Sequence, residues 1–222
     1  MSNIKILNNN LYVIQNGHIL NNTYIYIKNN YAIVIDPSFA EKEIENILIK
    51  HNIDQFDILI THYHYDHIGC TQKIAKQNTT IYIGENEYQY LNRQYSTNFN
   101  ELVNDLLIAN HIKKISGNIE LNLNGISIKC LNTPSHTMGS YTYLIDKYAF
   151  TGDFIFAYQI GFFDMENDGL TKFKQSLELL NDNINNEYLI CSGHNELETW
   201  KNVKEKNVEM MNYYGGVLKN EN

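Results

Sequence analysis

The chain has 222 residues, with 17 Lys or Arg against 25 Asp or Glu and a formal charge of −8. That length suits one globular domain spanning 1–222. A 43% hydrophobic, 12% aromatic composition with a mean hydropathy of −0.38 excludes a disordered chain.

Short strands open the chain at Ile4–Leu7, Leu11–Gln15, Thr23–Ile27 and Tyr31–Ile35, where β-branched and aromatic residues alternate with Asn and Gly turns. Asp36-Pro37-Ser38 stops that run. Helical spacing of Ile44, Ile47 and Leu48 predicts a helix from about Glu41 to His51, and Phe56–Ile60 reads as the next strand. A helix at Ile68–Lys76, a strand at Thr80–Ile83 and helices at Asn86–Arg93 and Glu101–Lys113 follow. Strands return at Ile119–Leu121, Ile126–Leu131, Tyr141–Ile145 and Tyr148–Thr151. Helices at Leu170–Asn181 and Glu198–Tyr213 flank a strand at Tyr188–Cys191. This order predicts two sheets with helices packed outside them.

No apolar run approaches the roughly 18 residues of a membrane span, and Met1-Ser2-Asn3-Ile4-Lys5 lacks the apolar stretch of a secretory signal. A cytoplasmic location is therefore expected. Cys70, Cys130 and Cys191 are too few, and odd in number, for a disulfide framework and read as small buried hydrophobes. Arg93 is the only arginine. Together with the negative charge it leaves no basic stripe for a nucleic-acid backbone, so the expected partner is a small-molecule substrate, with no nucleic acid and no membrane. The sequence leaves the oligomeric state open.

Of the eight histidines, five lie in three short segments rich in Gly, Ser, Thr and Asp. His62, His64, Asp66 and His67 form an H-x-H-x-D-H run at the end of a predicted strand. Continued alternation through the turn would project His62, His64 and Asp66 to one side, and a helical start would bring His67 beside Asp66. Four donors this close crowd one tetrahedral ion but suit two adjacent ions. His136 occupies a turn between strands. Asp153 follows a β-rich segment, where a carboxylate can bridge two ions, and His194 follows a strand and a Gly turn. These ends are expected to converge on one edge of the sheet pair. His18, His51 and His111 stand alone and are assigned no role. Tyr63, Tyr65, Tyr141 and Tyr143 read mainly as packing residues, and Trp200 as core.

In order and spacing, these motifs resemble the metallo-β-lactamase-fold hydrolases, from Asp36, which looks like the family's early Asp, to His194. Thr151–Phe156, Ile160-Gly161 and the tail Glu198-Thr199-Trp200 to Lys206-Asn207 look most like glyoxalase II and its short bacterial relatives. Asp153 stands where β-lactamases of this fold usually carry Cys, which points away from an antibiotic substrate. The resemblance implies an α+β fold, a four-layer αββα sandwich of two mixed β-sheets with outer helices. It implies one metal held by His62, His64 and His136 and another by Asp66, His67 and His194, with Asp153 between them. Two zinc ions per chain are the implied cofactor, and iron or manganese suits the same donors.

The implied activity is hydrolysis, by metal-activated hydroxide, of a small thioester of the hydroxyacylglutathione type or a related ester, with Asp66 and Asp153 orienting the nucleophile's proton. Asp36 is expected to orient a ligand histidine or to cap the next helix. Two departures bear on substrate. Phe162 follows Ile160-Gly161 where related proteins often carry Arg, and Ser192-Gly193-His194-Asn195 replaces Pro-Gly-His-Gly. Only residues 195–222 follow the last donor, room for about one helix, so glutathione rests on family likeness alone. Persulfide oxidation at a single iron, lactone or phosphodiester hydrolysis, and metal binding without catalysis are the alternatives.

Overall fold

The computed structural model describes residues 2–91, 111–163 and 168–214. Strands β1 (Asn3–Leu7), β2 (Leu11–Asn16), β3 (Asn21–Lys28) and β4 (Tyr31–Ile35) form an antiparallel meander. The sheet continues in parallel through β5 (Phe56–Leu59), β6 (Ile81–Gly84) and β7 (Ile112–Ile115). A second sheet runs in the order β13-β12-β11-β10-β9-β8, built from β8 (Ile119–Leu123), β9 (Ile126–Asn132), β10 (Tyr141–Ile145), β11 (Tyr148–Gly152), β12 (Leu189–Ser192) and β13 (Glu198–Thr199). Its pairs are antiparallel except β11 with β12.

Strand β4 shows how the layers are specified. Its unbroken apolar run, Tyr-Ala-Ile-Val-Ile, signals burial on both faces. Tyr31, Ile33 and Ile35 enter the core between the sheets with Leu59, Tyr143 and Phe150, while Ala32 and Val34 turn to the opposite side. There they meet Ile44, Ile47 and Leu48 of helix α1 (Glu41–Lys50). Glu41 and Glu43 in the first turn of α1 and Lys50 in its last complement the helix dipole. On the far side of the second sheet, Leu131, Leu144 and Ile190 pack against helices α5 (Gly169–Asn183), α6 (Trp200–Lys206) and α7 (Val208–Tyr214). The result is the expected αββα sandwich, with Trp200 fully buried as expected.

Three predicted helices are corrected. The single helix at Ile68–Lys76 is instead two one-turn helices, α2 (Tyr65–Ile68) and α3 (Thr71–Ile74). They separate at Gly69-Cys70 because the Cys70 N–H donates to the Pro37 carbonyl (3.0 Å), drawing the chain onto the 36–39 loop. Residues 101–110 of the Glu101–Lys113 helix lie outside the described residues, but Ile112–Ile115 is a strand that pairs with β6 and turns Lys113 and Lys114 outward. The Glu198–Tyr213 helix resolves into β13, α6 and α7. Asn207 divides the two helices, its amide donating to the Phe156 and Gln159 carbonyls (3.1 and 2.8 Å) rather than continuing the ladder. Helix α4 (Glu85–Leu91) starts one residue before its predicted position. All three thiols are free and buried, and burial pushes those of Cys70 and Cys130 up to about 12, which suits packing rather than nucleophilic use.

Candidate metal centre

All seven candidate donors lie at the C-terminal ends of strands or in the turns beside them, and they meet along one edge of the sandwich. His62 follows β5, with His64, Asp66 and His67 leading into and through α2. His136 lies between β9 and β10, Asp153 directly follows β11, and His194 follows β12. The two sheets are laced together at this edge. The Tyr141 N–H donates to the Thr61 carbonyl (2.9 Å), and the Asn22 N–H donates to that of Gly193 (2.7 Å).

Two groups of donors result. In the first, His62 Nε2 and His136 Nε2 lie 3.0 and 2.9 Å from His64 Nδ1. In the second, Asp66 Oδ2 is 3.3 Å from His194 Nε2 and 3.7 Å from His67 Nε2. Asp153 stands between them. Its Oδ1 is 3.3 Å from His67 Nε2, and its Oδ2 is 3.3 Å from His194 Nε2 and 3.8 Å from His136 Nε2. Strand alternation carried through the turn would set Asp66 beside His62 and His64, but the extended stretch ends at His64 and the turn of α2 carries Asp66 into the second group, the grouping that the resemblance implied.

The outer ring nitrogens are held so that the inner ones face the gap. His136 Nδ1–H donates to the Phe162 carbonyl (2.6 Å), His194 Nδ1–H to that of Ile19 (2.8 Å), and His62 Nδ1–H to Thr61 Oγ1 (3.1 Å). His67 Nδ1–H donates to Asp36 Oδ2 (2.9 Å). Asp36, His62 and His67 also lie close enough to form a metal-sized cluster. Yet both Asp36 oxygens are engaged, Oδ1 by the Thr61 N–H (2.8 Å) and Oδ2 by the Thr61 hydroxyl (2.6 Å) as well as His67. Asp36 therefore orients His67, one of its two expected roles.

Two observations fit this site to divalent cations. His67 Nε2 and Asp153 Oδ1 are buried without a hydrogen-bond partner, an arrangement that costs free energy unless something else satisfies both. The charges are also poised. Burial, helped by the neighbouring cationic ring of His67, holds His62 well below the usual imidazole value, and burial with His136 pushes His64 down to about 4, so both rings offer free lone pairs at neutrality. In the second group burial acts against charge but is outweighed. Asp153 and Asp66 hold His194 up at about 9, Asp153 and Asp36 raise His67, and both Asp66 and Asp153 stay well below the usual carboxylate range. Protons there occupy positions a cation can take.

Sequence reasoning missed two supports. Asn21 Nδ2 on β3 donates to Asp66 Oδ2 (2.9 Å) and to the Asp66 carbonyl (3.1 Å). Glu87 of α4 is fully buried and accepts from the Tyr63 N–H (2.8 Å), the Gly139 N–H (2.7 Å) and the Thr137 hydroxyl (2.8 Å). It thereby ties the segment between His62 and His64 to the turn carrying His136. Burial pushes its carboxyl up to about 7 against the pull of those donors. Neither residue carries a local sequence signal, since an Asn in a strand and a Glu in a first helical turn are ordinary. Gly193 has a steric reason: a Cβ there would fall 2.2 Å from Asp153 Oδ1 and 2.5 Å from His67 Cε1.

Fold and site together define a protein of the metallo-β-lactamase superfamily, and the chain belongs to it, matching the family model over residues 17–194. Among curated relatives it is 28% identical over 189 residues to the probable metallo-hydrolase YqgX of Bacillus subtilis, covering 80% of this chain and 86% of that protein. It is 28% identical over 187 residues to a hydroxyacylglutathione hydrolase of Shewanella halifaxensis, covering 78% of this chain and 65% of that one. Among solved structures, the BLEG-1 B3 metallo-beta-lactamase superposes with a TM-score of 0.73 at 22% identity, covering 89% of this chain and 98% of that one. Among the described residues, no helix is long and apolar enough to cross a membrane.

Proposed function

We propose that this protein is a dinuclear metal-dependent hydrolase that cleaves a small thioester or related ester. His62, His64 and His136 would hold one cation and Asp66, His67 and His194 the other, with Asp153 standing between the two groups. The observation that carries this reading is the placement of Asp153 between two complete donor groups, with a buried, unpartnered oxygen facing an unpartnered His67 nitrogen.

Bound divalent cations supply a water of lowered pKa and a Lewis acid for the substrate carbonyl. The chain's own residues supply orientation and proton handling. Four imidazoles are locked by acceptors behind them, so they lose little freedom when they ligate. Asp153, and Asp66 through the oxygen not bonded to Asn21, accept a hydrogen bond from the attacking water and fix its lone pair toward the carbonyl. As the water oxygen bonds to the carbonyl carbon, the carboxylate takes its proton, and as the carbon's bond to the leaving sulfur or oxygen breaks, it passes that proton to the leaving atom.

Zinc is the proposed metal, and hydroxyacylglutathione hydrolysis by the Shewanella relative supports the thioester. Persulfide oxidation at a single iron has less support, because Asp66, His67 and His194 complete a second group. The test is metal analysis of the purified protein joined to a panel of thioesters, lactones and phosphodiesters. About two equivalents of metal are expected, with thioester turnover that chelation abolishes and His64→Ala lacks. Equal turnover by His64→Ala would remove this site from the reaction.

A further inference from the structure

The loop after Asp153 is tightly held yet leaves one large side chain uncovered. Ile155 and Ile160 form an antiparallel bridge, and the Phe156 N–H donates to the Gln159 carbonyl (3.0 Å). Asn207 bonds two of the loop's carbonyls from below, and Glu209 Oε2 accepts the Ile160 N–H (3.1 Å). Gly161 runs so close to the preceding chain that a Cβ would lie 1.5 Å from the Asp153 carbonyl oxygen. Phe162 emerges from this rigid turn with 86% of its surface exposed. With Phe156, Ile160, Phe163 and Tyr213 beside it, Phe162 extends a contiguous apolar surface of the kind that marks a ligand-binding groove.

Phe162 borders a cleft of about 680 Å³ whose walls include Phe156, Ile160, Phe163, Glu209 and Tyr213. Two residues of its wall touch candidate donors, so the cleft adjoins the candidate metal centre. The Phe162 carbonyl accepts the His136 Nδ1–H (2.6 Å), and the Phe156 ring lies 5.9 Å from that of His194. Among its described lining residues the only charged side chain is Glu209. An apolar group entering here leaves water for aromatic and aliphatic walls. A carboxylate entering here loses its water beside another carboxylate, with no cationic side chain among the described lining residues to pair with it.

We propose that this cleft receives an uncharged aromatic or branched apolar substituent of the substrate, and that it discriminates against substrates bearing a carboxylate at that position. The inference rests on the hydrolase reading and narrows it, placing Phe162 as a specificity-determining residue.

The test uses metal-loaded protein and two matched pairs of thioesters, so that both sides of the scissile bond are sampled. One pair is phenylacetyl and 4-carboxyphenylacetyl N-acetylcysteamine, and the other is the acetyl thioesters of benzyl and 4-carboxybenzyl mercaptan. In at least one pair the neutral member is expected to lead in kcat/KM by tenfold or more, in the range that pocket discrimination spans. Phe162→Ala should reduce that ratio chiefly through KM, and Phe162→Arg should reverse it. Ratios near one, or ratios unaltered in both variants, overturn the proposal.

A second measurement is independent of turnover. The uncleaved amide N-benzylphenylacetamide, titrated calorimetrically into metal-free protein, should bind, and Phe162→Arg should weaken binding. Absence of binding overturns the proposal. If no thioester is hydrolysed at all, the hydrolase reading fails, while the amide titration still decides the cleft.

Discussion

Asp36 reaches His67 from the opposite side to the candidate metal centre. Its Oδ2 accepts the ring Nδ1–H at 2.9 Å, both side chains are buried, and Asp36 itself sits in left-handed backbone at φ 47. Asn tolerates that backbone at least as well as Asp, so Asp36→Asn isolates the loss of the carboxylate. The amide leaves one face without an acceptor and frees His67 to turn or change tautomer. Zinc affinity of the Asp66, His67 and His194 group should fall by about 10–100-fold. Competition with a chromophoric chelator should then show one tight and one weakened equivalent, and two undisturbed equivalents would show that Asp36 does not act through His67.

Glu87→Gln should destabilise the chain by about 1–3 kcal/mol. The amide oxygen can keep Gly139 and Thr137, but the new N–H2 is turned against the Tyr63 N–H, and a buried donor is left unmatched. Urea denaturation of the metal-free protein measures this directly. A midpoint equal to that of the parent chain would mean the Tyr63 bond contributes nothing net.

Gly193→Ala places a methyl within 2.2 Å of Asp153 Oδ1. The far-UV spectrum should be unchanged, while Asp153 or His67 is displaced and metal binding weakens by at least about tenfold, since donors must be held within tenths of an ångström. Full occupancy in the variant at limiting zinc would contradict the placement of Asp153.

Metal-free stability should decline between pH 6.5 and about 9. His194 is raised from 6.5 to about 9 in the folded chain, so the folded state holds a proton that the unfolded state has released. That contribution is fully present below 6.5 and is lost as the pH rises through 9. His67 is raised too and acts with the same sign. Saturating zinc should abolish the decline, because a ligated nitrogen carries no proton. Denaturation midpoints that are flat or rising in the metal-free protein over this interval would count against the assigned protonation.

Much of the architecture was legible from local pattern. Unbroken apolar runs such as Tyr31–Ile35 marked strands covered on both faces, and the spacing of Ile44, Ile47 and Leu48 marked α1. The errors share a cause. Residues 68–76 have helical composition, but the Cys70 bond to Pro37 breaks them, and Asn207 interrupts α6–α7 for the sake of carbonyls at 156 and 159. Propensity is a local average, and a contact from a distant segment overrides it.

The same division holds at the site. Residue type and short-range periodicity in the sequence marked the candidate donors, their order along strand ends and two sheets with helices outside them. Only the tertiary structure decided that both Asp36 oxygens are taken up by Thr61 and His67, that Asn21 holds Asp66, and that a buried Glu87 joins the two histidine turns. Those relationships link residues between 24 and 52 positions apart, and they are set by tertiary packing rather than by any segment's own preference.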